Sequence, residues 1–127
     1  MSDPNPLAKQ SYISLETYRK TGEPMPTPVW FAQDETTHLI YVWTEATSGK
    51  AKRIRNNPSV KLAPSDNRGK PKGDYLQATA QTTPEGSPEY KVGVDLINKK
   101  YGLLKKIFEL FSGNKGTHTI IVLQLIG

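Results

Sequence analysis

The sequence predicts a mainly β domain, with six antiparallel strands curling into a closed barrel and accessory helices outside it. Three observations predict this. Segments of period-two alternation follow one another through short, turn-rich links, which implies antiparallel pairing. The one long interruption is a helical excursion before the last strand. Finally, 127 residues with 35% hydrophobic content provide a single modest core, which suits a sheet that closes on itself better than an open one.

Residues 1–9, with Pro4, Asn5 and Pro6, read as an irregular lead-in to a single domain over 10–127. From Gln10 to Arg19, Tyr12, Ser14 and Glu16 alternate with Ile13, Leu15 and Thr17, the pattern of a half-buried strand. Lys20 to Pro24 is a turn around Gly22. Met25 to Ala32 is the second strand, and its Pro26 and Pro28 place it at an edge or a bulge, because neither can donate to a ladder. Backbone groups left unpaired there are available to a ligand; equally, the prolines only blunt an exposed edge. After a polar turn over Gln33–Thr37, His38 to Thr44 forms the third strand, in a hairpin with the second.

Ser48 is a good N-cap for a short helix over Gly49–Asn56, which stops at Asn57-Pro58. Pro58 to Pro64 is the fourth strand. The Ser65–Gly73 loop is basic and reads as mobile, and Asp74 to Thr82 is the fifth strand. Ser87 caps a helix with Pro88 at its first position. Ile97, Tyr101, Leu104, Phe108 and Phe111 then recur at helical spacing up to Phe111. Gly93 and Gly102 weaken that helix and allow it to be two shorter ones. Ser112 to Gly116 ends it, and Thr117 to Ile126 is the sixth strand.

Composition narrows the chemistry. The chain has no cysteine, so disulfides, thiolate metal sites and thiol nucleophiles are excluded together. Its two histidines, His38 and His118, stand at the predicted starts of separate strands, and no metal site is expected. No signal pattern opens the sequence and no apolar run spans a bilayer, so a cytoplasmic protein without membrane contact is expected. The net charge of +5 suits an anionic partner, although charge of this size serves solubility as readily. The basic loop lacks interleaved aromatics, and a nucleic-acid-binding barrel would need stacking aromatics on an exposed strand face.

The most informative segment is the strand end at Thr44 followed by Ser48-Gly-Lys-Ala-Lys-Arg-Ile-Arg-Asn-Asn-Pro58. A hydroxyl-rich turn opening into a basic helix is a place to hold a phosphate, because free amides at a helix start carry partial positive charge. It is not a Walker loop, since that glycine spacing is absent. Trp30 and Trp43, on facing hairpin strands, read as core fillers. No acid–base pair and no nucleophile elbow stands out, so any catalysis belongs to a bound cofactor and the catalytic residues stay unassigned.

Thr27-Pro-Val-Trp-Phe31, Tyr41-Val-Trp-Thr44, the Ser48–Pro58 segment and Tyr101-Gly-Leu-Leu-Lys-Lys106 resemble the pyridoxamine phosphate oxidase-like superfamily. Within it they resemble the small branch of deazaflavin-dependent enzymes. The resemblance implies an FMN-binding type of split β-barrel and a homodimer with its cofactor between subunits. It also implies FMN or the deazaflavin coenzyme F420, with hydride transfer to or from a small organic acceptor. It carries Ser48, Gly49 and Lys50 to the phosphate, Lys52 to a second cation, and Thr44 to the hydroxyl beneath the ring. Thr27, Pro28 and Val29 fall on the strand whose backbone faces the isoalloxazine.

Three departures bear on substrate. The second-strand arginine of true pyridoxamine phosphate oxidases is absent, with Met25 and Pro26 in its neighbourhood. Their C-terminal substrate arginine is also missing, which argues against that substrate. The Glu-Gly common on the branch's fifth strand is Gln77-Ala78 here. The same barrel also serves non-enzymatic flavin and tetrapyrrole binders, which is the alternative reading.

Overall fold

The computed structural model describes Leu7, residues 10–101 and residues 118–126. The predicted lead-in, apart from Leu7, the helix beyond Tyr101 and the Ser112–Gly116 stop lie outside the described residues.

The described chain forms strands β1 (Tyr12–Tyr18), β2 (Pro24–Trp30), β3 (Ala32–Gln33) and β4 (Ile40–Glu45), then helix α1 (Gly49–Asn56). Strands β5 (Ser59–Ser65) and β6 (Leu76–Thr83), helix α2 (Pro88–Tyr101) and strand β7 (His118–Leu125) follow. All pairings are antiparallel, and the seven strands run in the order β2-β1-β5-β6-β7-β4-β3.

The expected second strand is therefore cut in two at Phe31. One part pairs with β1 and the other with β4, so both edges of the curled sheet belong to one bent stretch of chain. The predicted hairpin between strands two and three is corrected accordingly: β2 is a hairpin partner of β1, and only Ala32–Gln33 pairs with β4. Tyr101 makes the bend possible. Its hydroxyl shares one proton between Ser11 O at 2.7 Å and Phe31 O at 2.9 Å and accepts from Phe31 N at 3.3 Å. It thus replaces the ladder partners that Phe31 loses between strands.

The prolines of β2 follow one rule. Pro24, Pro26 and Pro28 stand in register with Tyr18, Glu16 and Ser14, all at one parity. A proline cannot donate, so these positions face away from β1 while Met25, Thr27 and Val29 carry the ladder. The outer edge of β2 therefore presents carbonyls and no proline amide. It accepts hydrogen bonds without offering a neighbouring strand a donor at those positions.

The core is lined by Ile13, Leu15, Phe31, Ile40, Val42, Leu62, Ile121 and Leu123, each 0% exposed. β1 is more buried than the expected half-buried strand, because Ser14 on its other face is covered as well as Thr17. Ser14 Oγ lies 2.9 Å from the Tyr75 hydroxyl, and Thr17 Oγ1 accepts from Arg53 Nε at 2.7 Å. A second cluster forms where α2 lies on β4 and β7, around Tyr41, Ile97, Tyr101 and Ile120.

The loop after β5 is tied by bonds of its own. Asp66 Oδ1 accepts from Arg68 N at 2.8 Å and Lys70 N at 2.9 Å, and these bonds hold its carboxyl below the usual range. Gly69, at φ +89°, lies so close to the Pro28 ring that a Cβ would meet Pro28 Cδ at 3.1 Å. The loop is thereby packed beside the β2 edge. His38 lies in the turn before β4 at φ 65° rather than in the strand.

Candidate functional site

The start of α1 is shaped by its cap. Ser48 is extended, with φ −63° and ψ 156°, and its Oγ accepts from Ala51 N and from Thr44 Oγ1, both at 3.2 Å. A hydroxyl accepts two bonds and donates one, so the Ser48 proton remains to be given. Lys52 N makes the first helical bond, to Ser48 O at 3.1 Å. The Gly49 and Lys50 amides precede it and have no acceptor within the helix. No acidic residue stands in the first turn, so nothing within the helix offsets the positive end of its dipole.

Beside this start lies a cleft of about 440 Å³, lined by Tyr12, Pro28, Val29, Trp30, Trp43, Thr44, Glu45, Ser48, Lys50 and Ile97, a volume in the ordinary range for small-molecule sites. Burial, then the charge of Arg53, hold the Lys50 ammonium below the usual lysine value, and Glu45 partly offsets them. An anion at this position would relieve that crowding.

A second cavity of about 600 Å³ lies on the other side of the helix start, lined by Tyr18, Arg19, Lys20, Gly49, Lys52, Arg53, Asn56 and Asn57. Its cations are unequal. Arg53 is fixed by Thr17 and crosses Gly49 closely enough that a Cβ there would meet Nη1 at 2.7 Å. Burial and the neighbouring Arg19 push the Arg53 guanidinium below its usual value. Arg19 is 3.8 Å from Glu23, whereas Lys52 is exposed. Arg55 turns back to Ala46 O at 2.8 Å and braces the turn.

The structure thus brings Pro28, Val29, Thr44, Ser48 and Lys50 into one cleft. It places Gly49 and Lys52 on the second cavity, while Thr27, half-buried on β2, lines neither. Sequence reasoning missed the aromatic walls. Trp30 and Trp43 do not face each other on a hairpin; they reach the cleft from different parts of the sheet. Tyr12 reaches it through its register with Trp30, and their rings are 6.2 Å apart. The signal for Tyr12 was present, since alternation set it opposite Ile13 and Leu15. Nothing in the local pattern marked the tryptophans.

Among the described residues no group of three acidic, histidine or cysteine side chains could hold a metal, and no helix is long and apolar enough to cross a membrane. The sequence matches no protein-family model and no curated protein. Solved structures share the fold. The haem storage protein HutZ of Vibrio cholerae is 16% identical with a TM-score of 0.69, over 94% of this chain and 84% of that one. An F420 reductase is 19% identical with a TM-score of 0.62, over 100% and 97%. An FMN-binding protein related to pyridoxamine 5'-phosphate oxidase, from Nostoc punctiforme, is 14% identical with a TM-score of 0.64, over 94% and 73%. At these identities the shared property is the fold alone, a split β-barrel.

Proposed function

We propose that this chain is an oxidoreductase that binds a phosphorylated isoalloxazine-type cofactor, FMN or the deazaflavin F420, and serves hydride transfer with a small organic acceptor. The observation that carries this reading is the content of one cleft. An anion-ready helix start, two indoles and an edge that accepts hydrogen bonds all meet there. The residues fit such a group. The Gly49 and Lys50 amides, the Ser48 hydroxyl and the Lys50 ammonium would hold the phosphate, with Lys52 as an outlying cation. The carbonyl edge at Pro28, with Thr27 and Val29 beside it, suits a ring that carries an imide N–H. Thr44, whose hydroxyl donates to Ser48 Oγ, would orient the Ser48 proton towards the phosphate, and Trp30 and Trp43 would exclude water.

When bound, the cofactor supplies the hydride chemistry; the chain supplies position and charge. F420 reductase and FMN-binding protein among the structural neighbours support this reading. So does the open cleft, which a second copy of the chain would help to close in a homodimer.

The second reading, a ring-binding protein without turnover, draws on HutZ, a haem storage protein. The described cleft lining contains no His, Cys or Met but does contain Tyr12, and tyrosine can ligate haem iron.

The visible spectrum of freshly purified protein, followed by titration with FMN and with F420, tests the proposal. Saturable binding of either, in a particle of twice the chain mass by light scattering, is expected. A protein that binds neither, or binds haem alone, would overturn it.

A further inference from the structure

The Trp43 wall of the cleft is backed by a group of polar side chains that ring binding leaves unused. His118, the first residue of β7, is 5% exposed. Its imidazole stacks on the Trp43 indole, with centroids 4.5 Å apart and planes at 28°. Nδ1 lies 3.8 Å from Glu85 Oε2, in the turn before α2. Tyr90, in the first turn of α2, lies near Trp43 and Glu85; burial, then the charge of Glu85, raise its phenol above the usual value. His118 Nε2 is buried with no hydrogen-bond partner.

We propose that His118 is a positioning residue for Trp43, and that its protonation sets how strongly the indole holds a ring stacked in the cleft. The second half rests on the ring-binding reading above. His118 does not line the cleft; Trp43 does, so the imidazole acts through it. Packing alone would favour an apolar side chain, since a buried nitrogen without a partner is costly. Histidine ordinarily changes charge between about pH 5 and 8.

The titratable groups facing it are Glu85 from the turn before α2, Tyr90 from α2 and Glu45, its register partner on β4. β6 contributes Thr82 and Thr83, opposite Ile121 and Ile120, which do not titrate. A protonated His118 would set a cation against the indole face, with the Glu85 carboxylate 3.8 Å from its Nδ1. Once formed, the cation draws on the π density of Trp43 and leaves less for an electron-poor ring in the cleft.

The chain has two tryptophans, so Trp30→Phe leaves Trp43 as the only indole emitter. In that variant emission should fall as pH goes from 8 to 5.5, because a stacked imidazolium quenches indole. Adding His118→Asn should abolish the titration. Adding Glu85→Gln, a milder change, should move its midpoint to lower pH, since the imidazolium loses its carboxylate. Flat emission, or an unchanged titration in both double variants, would overturn the proposal.

In the native chain, riboflavin, which has no phosphate to titrate, should bind about threefold more tightly at pH 8 than at pH 5.5. His118→Asn should remove the difference. Titrating emission with pH-independent riboflavin affinity would overturn the link to the cleft. No riboflavin binding at either pH would count against the ring-binding reading, and emission would then decide the role of His118 alone.

Discussion

Helix α1 buries only Ala51 and Ile54 and carries Lys50, Lys52, Arg53 and Arg55 around its sides, whereas α2 brings Gly93, Ile97 and Tyr101 down onto the sheet. The first is held at its start by one serine and braced by two arginines. The second is held along its length by close packing, and its last described residue fixes the bend in the barrel. The difference separates two kinds of residue. Changes at Gly93 and Tyr101 of α2 should act on stability, whereas changes at Lys50 should act on binding and spare the fold.

The largest expected effect is in α2. A Cβ at Gly93 would meet Ile120 Cγ2 at 2.6 Å and Tyr41 Cδ2 at 3.0 Å. Gly93→Val should destabilise the chain by about 1–3 kcal/mol through overpacking, despite removing a poor helix former. Tyr101→Phe should cost about 1–3 kcal/mol, because Phe31 N and O would be buried without their partner. Both are read from thermal or urea melts of the cofactor-free protein. Unchanged midpoints would show that α2 packs as loosely as α1.

The same comparison shows what the sequence made legible. Alternation found the strands, and Ser48 and Ser87 found both helix starts. Helical spacing placed Ile97 and Tyr101 in the core, and cap chemistry found the basic start of α1 at Ser48. All of these signals are local. The bend at Phe31 was hidden because its stabilising partner, Tyr101, lies 70 residues away. The tryptophans were hidden for a related reason: whether an indole fills a core or walls a cleft depends on the strand across from it. Gly93 was read as a weakness in a helix, but it is the point where that helix touches the sheet.

Lys50 should give the largest binding effect. Lys50→Ala should weaken cofactor binding by about 1.5–3 kcal/mol, roughly 10- to 150-fold, with little change in the melt of the empty protein. A pH signature should accompany it. The folded-state pKa of Lys50 is lowered, so between it and the ordinary lysine value the unfolded chain binds more protons. The empty protein should therefore gain stability as pH rises through that window. A bound phosphate favours the ammonium and should reduce the gain, and affinity should fall over the same window. Titration and melts across alkaline pH check both; a slope unchanged by Lys50→Ala would remove it from the site.

Ser48 is the one residue expected to act on both sides of the comparison. Ser48→Ala removes the cap on Ala51 N and the acceptor for Thr44, at a cost of about 1 kcal/mol in stability. It also removes the hydroxyl proton available to a phosphate, so affinity should fall by a further few-fold. Loss of stability with affinity intact would make Ser48 a cap and nothing more.

The smallest effect separates the two cofactors. F420 carries an anionic tail beyond its first phosphate, and the second cavity offers Arg19, Lys20, Lys52 and Arg53 on the far side of the α1 start. Lys52 is exposed, and exposed pairs are worth only about 0.2–1 kcal/mol. Lys52→Glu should therefore lower F420 affinity by roughly two- to fivefold at low salt. The difference should vanish near 1 M salt, where charges are screened beyond about 3 Å. FMN, which ends at its phosphate beside Lys50, should respond less to either change, because that contact is more shielded. Calorimetric titration of both cofactors at both salt concentrations makes the test. An equal response of FMN and F420 to Lys52→Glu would mean that the second cavity does not read the tail, and that α1 binds on one side only.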